Sequence, residues 1–346
     1  MKAHKIEQAP IPMRKVGPVK IIGPEVNDEL WMPLATYESP LWPSVGRGAR
    51  VTKLAGGIHC TVVDERMSRS IVVQADNASV LANVWQQVSQ QIDRINEEVV
   101  SKTSRFARLI DIHPQFVGNL LYLRLEYLTG DASGHNMVTL ASEHVQTWLL
   151  TEHPSLKYVS ISANYCTDKK VSAVNGILGR GKNVVAEVTI PRELVERRLK
   201  STPEKIVDLH IKKNLIGTNL AGGLRSANAH AANMLLAFYL ATGQDAANIV
   251  EGSQCIVHCE VVAGDLYFSV SMPNLIVGSV GNGKGIDFVE RNLAELGCKE
   301  NREPGANARR LAVICACSVL CGELSLMAAQ TNPGELMQSH VNMERG

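Results

Sequence analysis

Residues 69–163 restrict the fold most, because the period of their apolar residues switches repeatedly between strand-like and helix-like. Residues 71–74, Ile-Val-Val-Gln, read as a strand. Leu81, Val84, Val88, Ile92, Ile95 and Val99 then recur at helical spacing. Residues 106–113 read as a second strand, closed by Pro114. Leu121, Leu123, Leu125 and Tyr127 alternate strictly, so they share one face of a strand and Arg124 and Glu126 face the other way. Met137, Leu140, Ala141, Val145 and Trp148 mark a second helix, and residues 156–161 a last strand. The order β-α-β-β-α-β predicts a ferredoxin-like unit. No G-x-G-x-x-G opens either helix, which argues against a Rossmann unit.

A chain of 346 residues has room for a second core. The predicted class is α+β: a large, mainly helical domain of residues 1–68 and 164–346, with the ferredoxin-like unit 69–163 inserted in it. Residues 228–241 carry apolar side chains on nearly all sides and predict a buried central helix. Residues 19–22, 266–272 and 275–280 read as strands, 191–214 as helical, and 304–327 as a long helix. A net charge of +1 gives no reason to expect nucleic acid or an anionic membrane. The longest apolar run, 311–320, falls short of the ~18 residues of a spanning helix and is soon followed by Glu323. Residues 1–14 lack the apolar core of a signal peptide, so a cytoplasmic location is the default expectation.

Eight cysteines form no C-x-x-C pair. Cys255-x-x-His258-Cys259 and Cys315-x-Cys317-x-x-x-Cys321 lie in apolar runs and read as buried thiols, so no metal is expected.

Several segments concentrate polar chemistry, each with an ordinary reading beside it. Ser162-Ala163-Asn164-Tyr165-Cys166-Thr167-Asp168-Lys169-Lys170 can be a solvated turn between strands. Gly179-Arg180-Gly181-Lys182 can address phosphates. Glu38, followed by Arg47 and Arg50 in a Gly-rich setting, can be a surface loop. Gly130-Asp131-Ala132-Ser133-Gly134-His135-Asn136 joins a strand to a helix whose N-terminus favours phosphate, with Asp131 or Asn136 as the alternative of a simple cap. His230 and Asn233 stand one turn apart and can face one ligand. Gly281-Asn282-Gly283-Lys284-Gly285 can be a hairpin turn, and Gln338-Ser339-His340 a surface tail.

Taken together, Ser-x-Asn-Tyr-Cys-Thr-Asp-Lys-Lys, the Gly-Arg-Gly-Lys after it, Asn-Ala-His-Ala-Ala-Asn and Gly243-Gln244-Asp245 resemble the signatures of the 3-hydroxy-3-methylglutaryl-CoA reductase family, over about residues 15–345. The resemblance implies catalytic roles for Glu38, Lys169, Asp245 and His340. It implies substrate contacts from Arg69, Ser162, Asn164, Asp168, Lys170 and Lys213, with His230 and Asn233 close by. Arg47 and Arg50 fall where the family addresses coenzyme A or nucleotide phosphates. Asp131, Ser133, Gly134 and Asn136 resemble the nicotinamide-dinucleotide motif Asp-Ala-Met-Gly-x-Asn, with Ser133 in place of the methionine. Gly281 and Gly283 match glycines that pass close to the dinucleotide. Thr103-Ser104-Arg105-Phe106-Ala107-Arg108-Leu109 is a shared segment with an expected structural role. The family also implies a cis peptide between Cys166 and Thr167.

The implied activity is four-electron reduction of 3-hydroxy-3-methylglutaryl-CoA to mevalonate and CoA by two hydrides. Lys169 would stabilise the first oxyanion, His340 protonate the departing thiolate, and Glu38 give the second proton, with Asp245 linking Lys169 and Glu38. NADPH is the expected cofactor, NADH the alternative, with Arg47, Arg50 and Arg345 as candidate partners of a 2′-phosphate. The implied assembly is a homodimer, or dimers of dimers, with shared sites. The chain departs from the family at three points: no Glu-Asn-Val-Ile-Gly motif is recognisable, Tyr37-Glu38-Ser39 replaces the usual Thr-Glu-Gly, and the tail is short. Other readings are the same enzyme oxidising mevalonate, or a silent CoA- or nucleotide-binding protein.

Overall fold

The computed structural model describes residues 9–335, 337 and 341. An antiparallel hairpin, β1 (Met13–Ile22) and β2 (Asp28–Ala35), leads to the 17-residue strand β3 (Ile58–Gln74). β3 takes part in two sheets, and its two halves have different partners. The second half, rich in Ile and Val, pairs antiparallel with β5 (Leu120–Leu128) and β6 (Lys157–Ile161), and β5 also pairs with β4 (Arg108–Val117). The resulting order β4-β5-β3-β6, with helices Ala78–Val88, Ile92–Glu98 and His135–Glu152 between strands, is the ferredoxin-like arrangement that the periodicity predicted.

The first half of β3 runs parallel to β1 and antiparallel to β7 (Gly181–Ile190). β7 pairs with β9 (Asp265–Leu275), and β9 with β8 (Ile256–Val262). The larger unit therefore combines helices with a mixed sheet, β2-β1-β3-β7-β9-β8. The class is α+β, with more sheet in the larger unit than its apolar pattern suggested. Two hydrophobic clusters follow. One gathers Ile21, Val188, Phe238, Phe268 and Ile314; the other gathers Ile71, Leu81, Leu123, Val138 and Leu149.

The deepest element of the larger cluster is the helix Ala306–Gln330, and not the helix Ala231–Ala241, which packs against it and β2. Ala306–Gln330 is long and apolar enough to cross a membrane, contrary to the expectation from its apolar run, yet 94% of its apolar window is buried inside the fold. It serves as the core. Gly48 lets the helix Leu41–Leu54 cross it closely, since a Cβ there would stand 2.1 Å from the Cys321 carbonyl oxygen.

Two local expectations are corrected, over residues 275–280 and 191–214, and the cysteines are buried thiols as read. Residues 276–280 leave the sheet, and the second strand of that region is instead β8. On β8, His258 is exposed and Cys259 buried, because adjacent residues of a strand face opposite sides, so the two do not converge on a metal. All eight cysteines are free and buried. Residues 191–214 are broken at Lys200, which takes φ 54°, before the helix Pro203–Leu209 and the widened π-helical turns His210–Gly217.

Gly48→Ala should destabilise the protein by at least ~1–3 kcal/mol, the usual cost of overpacking, because the obstacle is backbone. Urea denaturation reads this directly; an unchanged midpoint would contradict the close helix crossing.

Candidate active site

β5 alternates as predicted, but its polar face does not meet solvent. Arg124 and Glu126 are fully buried as an ion pair of 2.8 Å. Arg124 donates to the Tyr165 carbonyl (3.3 Å), Asn175 Oδ1 (2.9 Å) and the Gly179 carbonyl (2.7 Å). The polar face of the small sheet is thus the floor on which residues 162–179 rest. From β3, Ser70 Oγ accepts the Cys166 N–H at 3.0 Å and Ser70 O accepts that of Ala163 at 3.0 Å. Held this way, the turn places Asn164, Thr167 and Lys169 in the left-handed region, at φ 60°, 50° and 56°. Such a conformation costs a non-glycine residue ~1–3 kcal/mol and persists where the surroundings over-determine it. The non-proline cis peptide lies between Ile161 and Ser162, not between Cys166 and Thr167.

Arg180 organises the charges behind this turn. It is fully buried, with Nη1 2.7 Å from Glu251 Oε1 and Nη2 3.1 Å from Asp168 Oδ1. Arg69 Nη1 and His135 Nε2 flank Asp168 at 3.5 and 3.7 Å. Burial opposes the Asp168 charge, but Arg180 and then Arg69 outweigh it and hold the carboxyl below its ordinary pKa. Burial raises that of Glu251, against the pull of Arg180. Glu251 also accepts the Lys169 backbone N–H at 3.1 Å and Asn248 Nδ2 at 3.0 Å. Gly179-Arg180-Gly181-Lys182 is therefore no phosphate loop: Arg180 is spent on these acids, and buried Lys182 faces Glu65 at 3.5 Å.

The Lys169 side chain points out of this cluster, 40% exposed, and its Nζ stands 2.7 Å from Asp245 Oδ2. The Asp245 hydrogen bond raises the lysine pKa. Burial works against the Asp245 charge, but the Lys169 and Ala247 hydrogen bonds still lower its pKa. Asp245 is placed by its neighbours. Gln244 exchanges hydrogen bonds with the Gly278 backbone at 2.9 and 3.1 Å, and Lys284 Nζ donates to the Gly243 carbonyl. Burial lowers the Lys284 pKa to about 8.

Gly278 in turn packs on the predicted dinucleotide loop, where a Cβ would come within 2.4 Å of Ser133 N. Ala132 bridges to Val280, so 130–136 and 278–285 lie together as expected. Gly134 caps the helix His135–Glu152, whereas Asp131 accepts the Ala308 N–H (3.0 Å) in the first turn of the core helix. A hollow of about 340 Å³ opens here, lined by Phe106, Asp131, Ala132, Met137, Val280 and Arg302 among others. Phe106 lies at its edge, and Arg105 and Phe106 line an adjoining groove.

Glu38 sits elsewhere, in a cleft of about 390 Å³ with Arg47, Arg50, His230, Asn233 and Ser325. Asn233 Nδ2 donates to Glu38 Oε2 at 2.9 Å and contacts His230 Nδ1 at 3.4 Å, while His230 Nε2 meets the Gly322 carbonyl at 3.1 Å. His230 is the N-cap of its helix, one residue outside it, because buried Glu323 takes the N–H groups of Ala229 and His230. Arg47 is engaged by Ser325 and Glu335. Arg47 and Arg50 belong to this cleft and do not line the hollow beside Asp131.

Among the described residues, Glu38 makes no hydrogen bond or ion pair with Asp245 or Lys169 within the chain, so the expected three-way link is only half present. Ser162 contacts Cys166 Sγ at 3.1 Å, Asn164 is exposed, and Lys170 Nζ turns back to the Asp168 carbonyl at 2.9 Å. Lys213 is half-buried on the π-helical turns. His340 and Arg345 lie outside the described residues. The sequence reading missed Glu251, which no local motif marks, passed over His135 as the variable position of the dinucleotide motif, and misassigned Arg180. Asp111, His113 and Glu126 also approach one another, but Arg66 and Arg124 already neutralise Glu126.

The family profile described as hydroxymethylglutaryl-coenzyme A reductase matches residues 4–345. A 3-hydroxy-3-methylglutaryl-coenzyme A reductase of Pyrococcus abyssi is 45% identical over 321 residues, covering 92% of this chain and 78% of that protein. One from Aeropyrum pernix is 40% identical over 338 residues, covering 97% and 80%. The fold is similar to that of a class II 3-hydroxy-3-methylglutaryl-CoA reductase from Streptococcus pneumoniae bound to NADPH, with a TM-score of 0.75, 18% identity and coverage of 96% and 88%.

Asp245→Asn should lower the Lys169 pKa, since the hydrogen bond to Asp245 is the leading cause that raises it. Competitive acetylation at pH 9 with peptide mapping would show faster labelling of Lys169 in the variant; unchanged labelling would mean that the pair does not hold the proton.

Proposed function

The chain belongs to the hydroxymethylglutaryl-coenzyme A reductase family, and from that premise we propose that it reduces 3-hydroxy-3-methylglutaryl-CoA to mevalonate and CoA with two successive hydrides from NADPH. The observation that carries this reading is Lys169, an exposed cation with its backbone pinned by Glu251 and its ammonium 2.7 Å from Asp245. A charge fixed before the reaction stabilises a developing oxyanion without the cost of reorganising solvent.

We assign the dinucleotide to the inserted unit 69–163 and the substrate to residues 1–68 and 164–346. The fit of the first assignment rests on the hollow beside Asp131 and Ala132, the positive φ of Gly130, Gly134, Gly281 and Gly283, and the N-terminus of an 18-residue helix at His135. Ser133 and Asn136 belong to the same loop. The bound dinucleotide would supply hydride to the thioester carbonyl and then to the aldehyde.

The chain's own groups do the rest. Lys169 holds the oxyanion of the thiohemiacetal, and Asp245 keeps that lysine protonated and aimed. Arg69, Ser162, Asn164, Asp168, Lys170 and Lys213 bind the substrate's carboxylate and hydroxyl. Arg47 and Arg50 hold CoA phosphates along the Glu38 cleft, where His230 and Asn233 orient Glu38. Glu38 gives a proton to the second alkoxide, and His340 one to the CoA thiolate, a step that suits an imidazole near neutral pH. Because Glu38 and the Lys169–Asp245 pair occupy separate places within the chain, a homodimer that completes each site across its interface accounts best for both.

Lys169→Met keeps the aliphatic stem and removes the charge. Substrate-dependent loss of NADPH absorbance at 340 nm should fall by at least ~10²–10³-fold, the usual loss for one preorganised donor, with the melting temperature nearly unchanged. Near-normal turnover would remove Lys169 from the chemistry, and no turnover in the wild type with either cofactor would indicate a silent binder.

A further inference from the structure

Buried polar atoms without a hydrogen bond gather behind the Lys169 turn. Among the described residues, Arg69 Nε, His135 Nε2, Thr167 Oγ1, Arg180 Nε and Glu251 Oε2 all lack one, and Asp168 Oδ1, 3.1 Å from Arg180, lacks the alignment of one. Native folds satisfy most such atoms, so a concentration of them is a candidate for a functional role. His135 has a particular position in it. It is the first residue of the helix His135–Glu152, directly after Gly134 of the dinucleotide loop, and its Nε2 lies 3.7 Å from Asp168 Oδ1. The same imidazole thus belongs to the cofactor loop by sequence and to the substrate turn by contact.

We propose that His135 is a positioning residue that ties the dinucleotide loop to the Asp168–Lys169 turn, its Nε2–H donating to Asp168 Oδ1 once the loop carries NADPH. This rests on the reductase reading above. The donating ring is neutral, because burial, reinforced by Arg180, lowers its pKa to about 4. A neutral donor adds direction without a further charge beside Arg69 and Arg180, which already balance Asp168. A shift of less than 1 Å brings the pair within hydrogen-bond distance. Filling the cofactor loop then fixes Asp168, and through the next residue the backbone of Lys169. His135 itself touches neither reacting atom, so its loss acts on rate more than on affinity.

The test compares His135→Met, which keeps length and removes the donor, with His135→Gln, which restores an N–H near the same place. Single-turnover hydride transfer should fall ~10- to 100-fold in the Met variant, as for loss of a hydrogen bond to a charged group. KM for substrate should stay within ~2-fold, KM for NADPH should rise by less than the rate falls, and Gln should recover most of both. In wild-type protein with ¹⁵N-labelled histidine, His135 should be the Nε2–H tautomer, and its Nε2 signal should move on addition of NADP⁺. This measurement needs neither turnover nor a folded variant. Equal losses in Met and Gln, full activity in both, a loss confined to KM for NADPH, or an Nδ1–H tautomer would overturn the proposal. A wild type that binds NADP⁺ with the expected shift but reduces nothing would instead sink the reductase reading.

Discussion

Arg180 between Asp168 and Glu251 is the interaction on which the site depends. Three charges removed from water are unfavourable unless each is paired, and here the guanidinium spans both carboxylates, at 3.1 and 2.7 Å. The arrangement does more than neutralise. Glu251 uses the same Oε1 to accept the Lys169 backbone N–H. The left-handed conformation of Lys169 and the direction of its side chain are therefore held by a carboxylate that is itself held by Arg180.

The fold makes this possible by covering the small sheet on both sides. One face of β5 packs on its own helices through Leu121, Leu123, Leu125 and Tyr127. The other offers Arg124, which pins the Tyr165 and Gly179 carbonyls and so fixes both ends of the segment between the turn and Arg180. β3 runs through both sheets, so Ser68 and Ser70 of the same strand anchor Cys166. Close packing joins the remaining pieces. Gly278 against Ser133 and Gly243 against Gly283 connect the loop 130–136 to Asp245 with no room for a side chain.

The ferredoxin-like unit was legible because its periods are short-range properties of the chain. The polar face of β5 was not, because alternation says which side a residue faces and not what covers that side. Asp168, Lys169, Asp245 and the glycine loops stood out as local motifs, and the fold does gather them. Arg180 looked like a phosphate ligand because Gly-Arg-Gly-Lys has the right residues; only three-dimensional burial shows that its charge is already used. Glu251 sits in unremarkable surroundings in sequence, and its importance comes from a contact 82 residues away; His135 stands at the variable position of a motif, and only its contact with Asp168 across two loops singles it out. The core helix was legible as a long helix, but an apolar helix buried in protein has the composition of one buried in lipid, so only the packing shows that it is the core.

The central claim is that the buried carboxylate of Glu251, acting through Arg180 and the Lys169 backbone, sets the reactive lysine. Glu251→Gln keeps the shape and removes the charge. The most direct measurement is the single-turnover rate of hydride transfer in this variant, taken below its melting transition and at saturating NADPH. The account predicts a fall of at least ~10-fold, as for loss of one charge-assisted hydrogen bond, with cofactor binding retained. A variant that is folded and transfers hydride at the wild-type rate would show that Lys169 is positioned by something else.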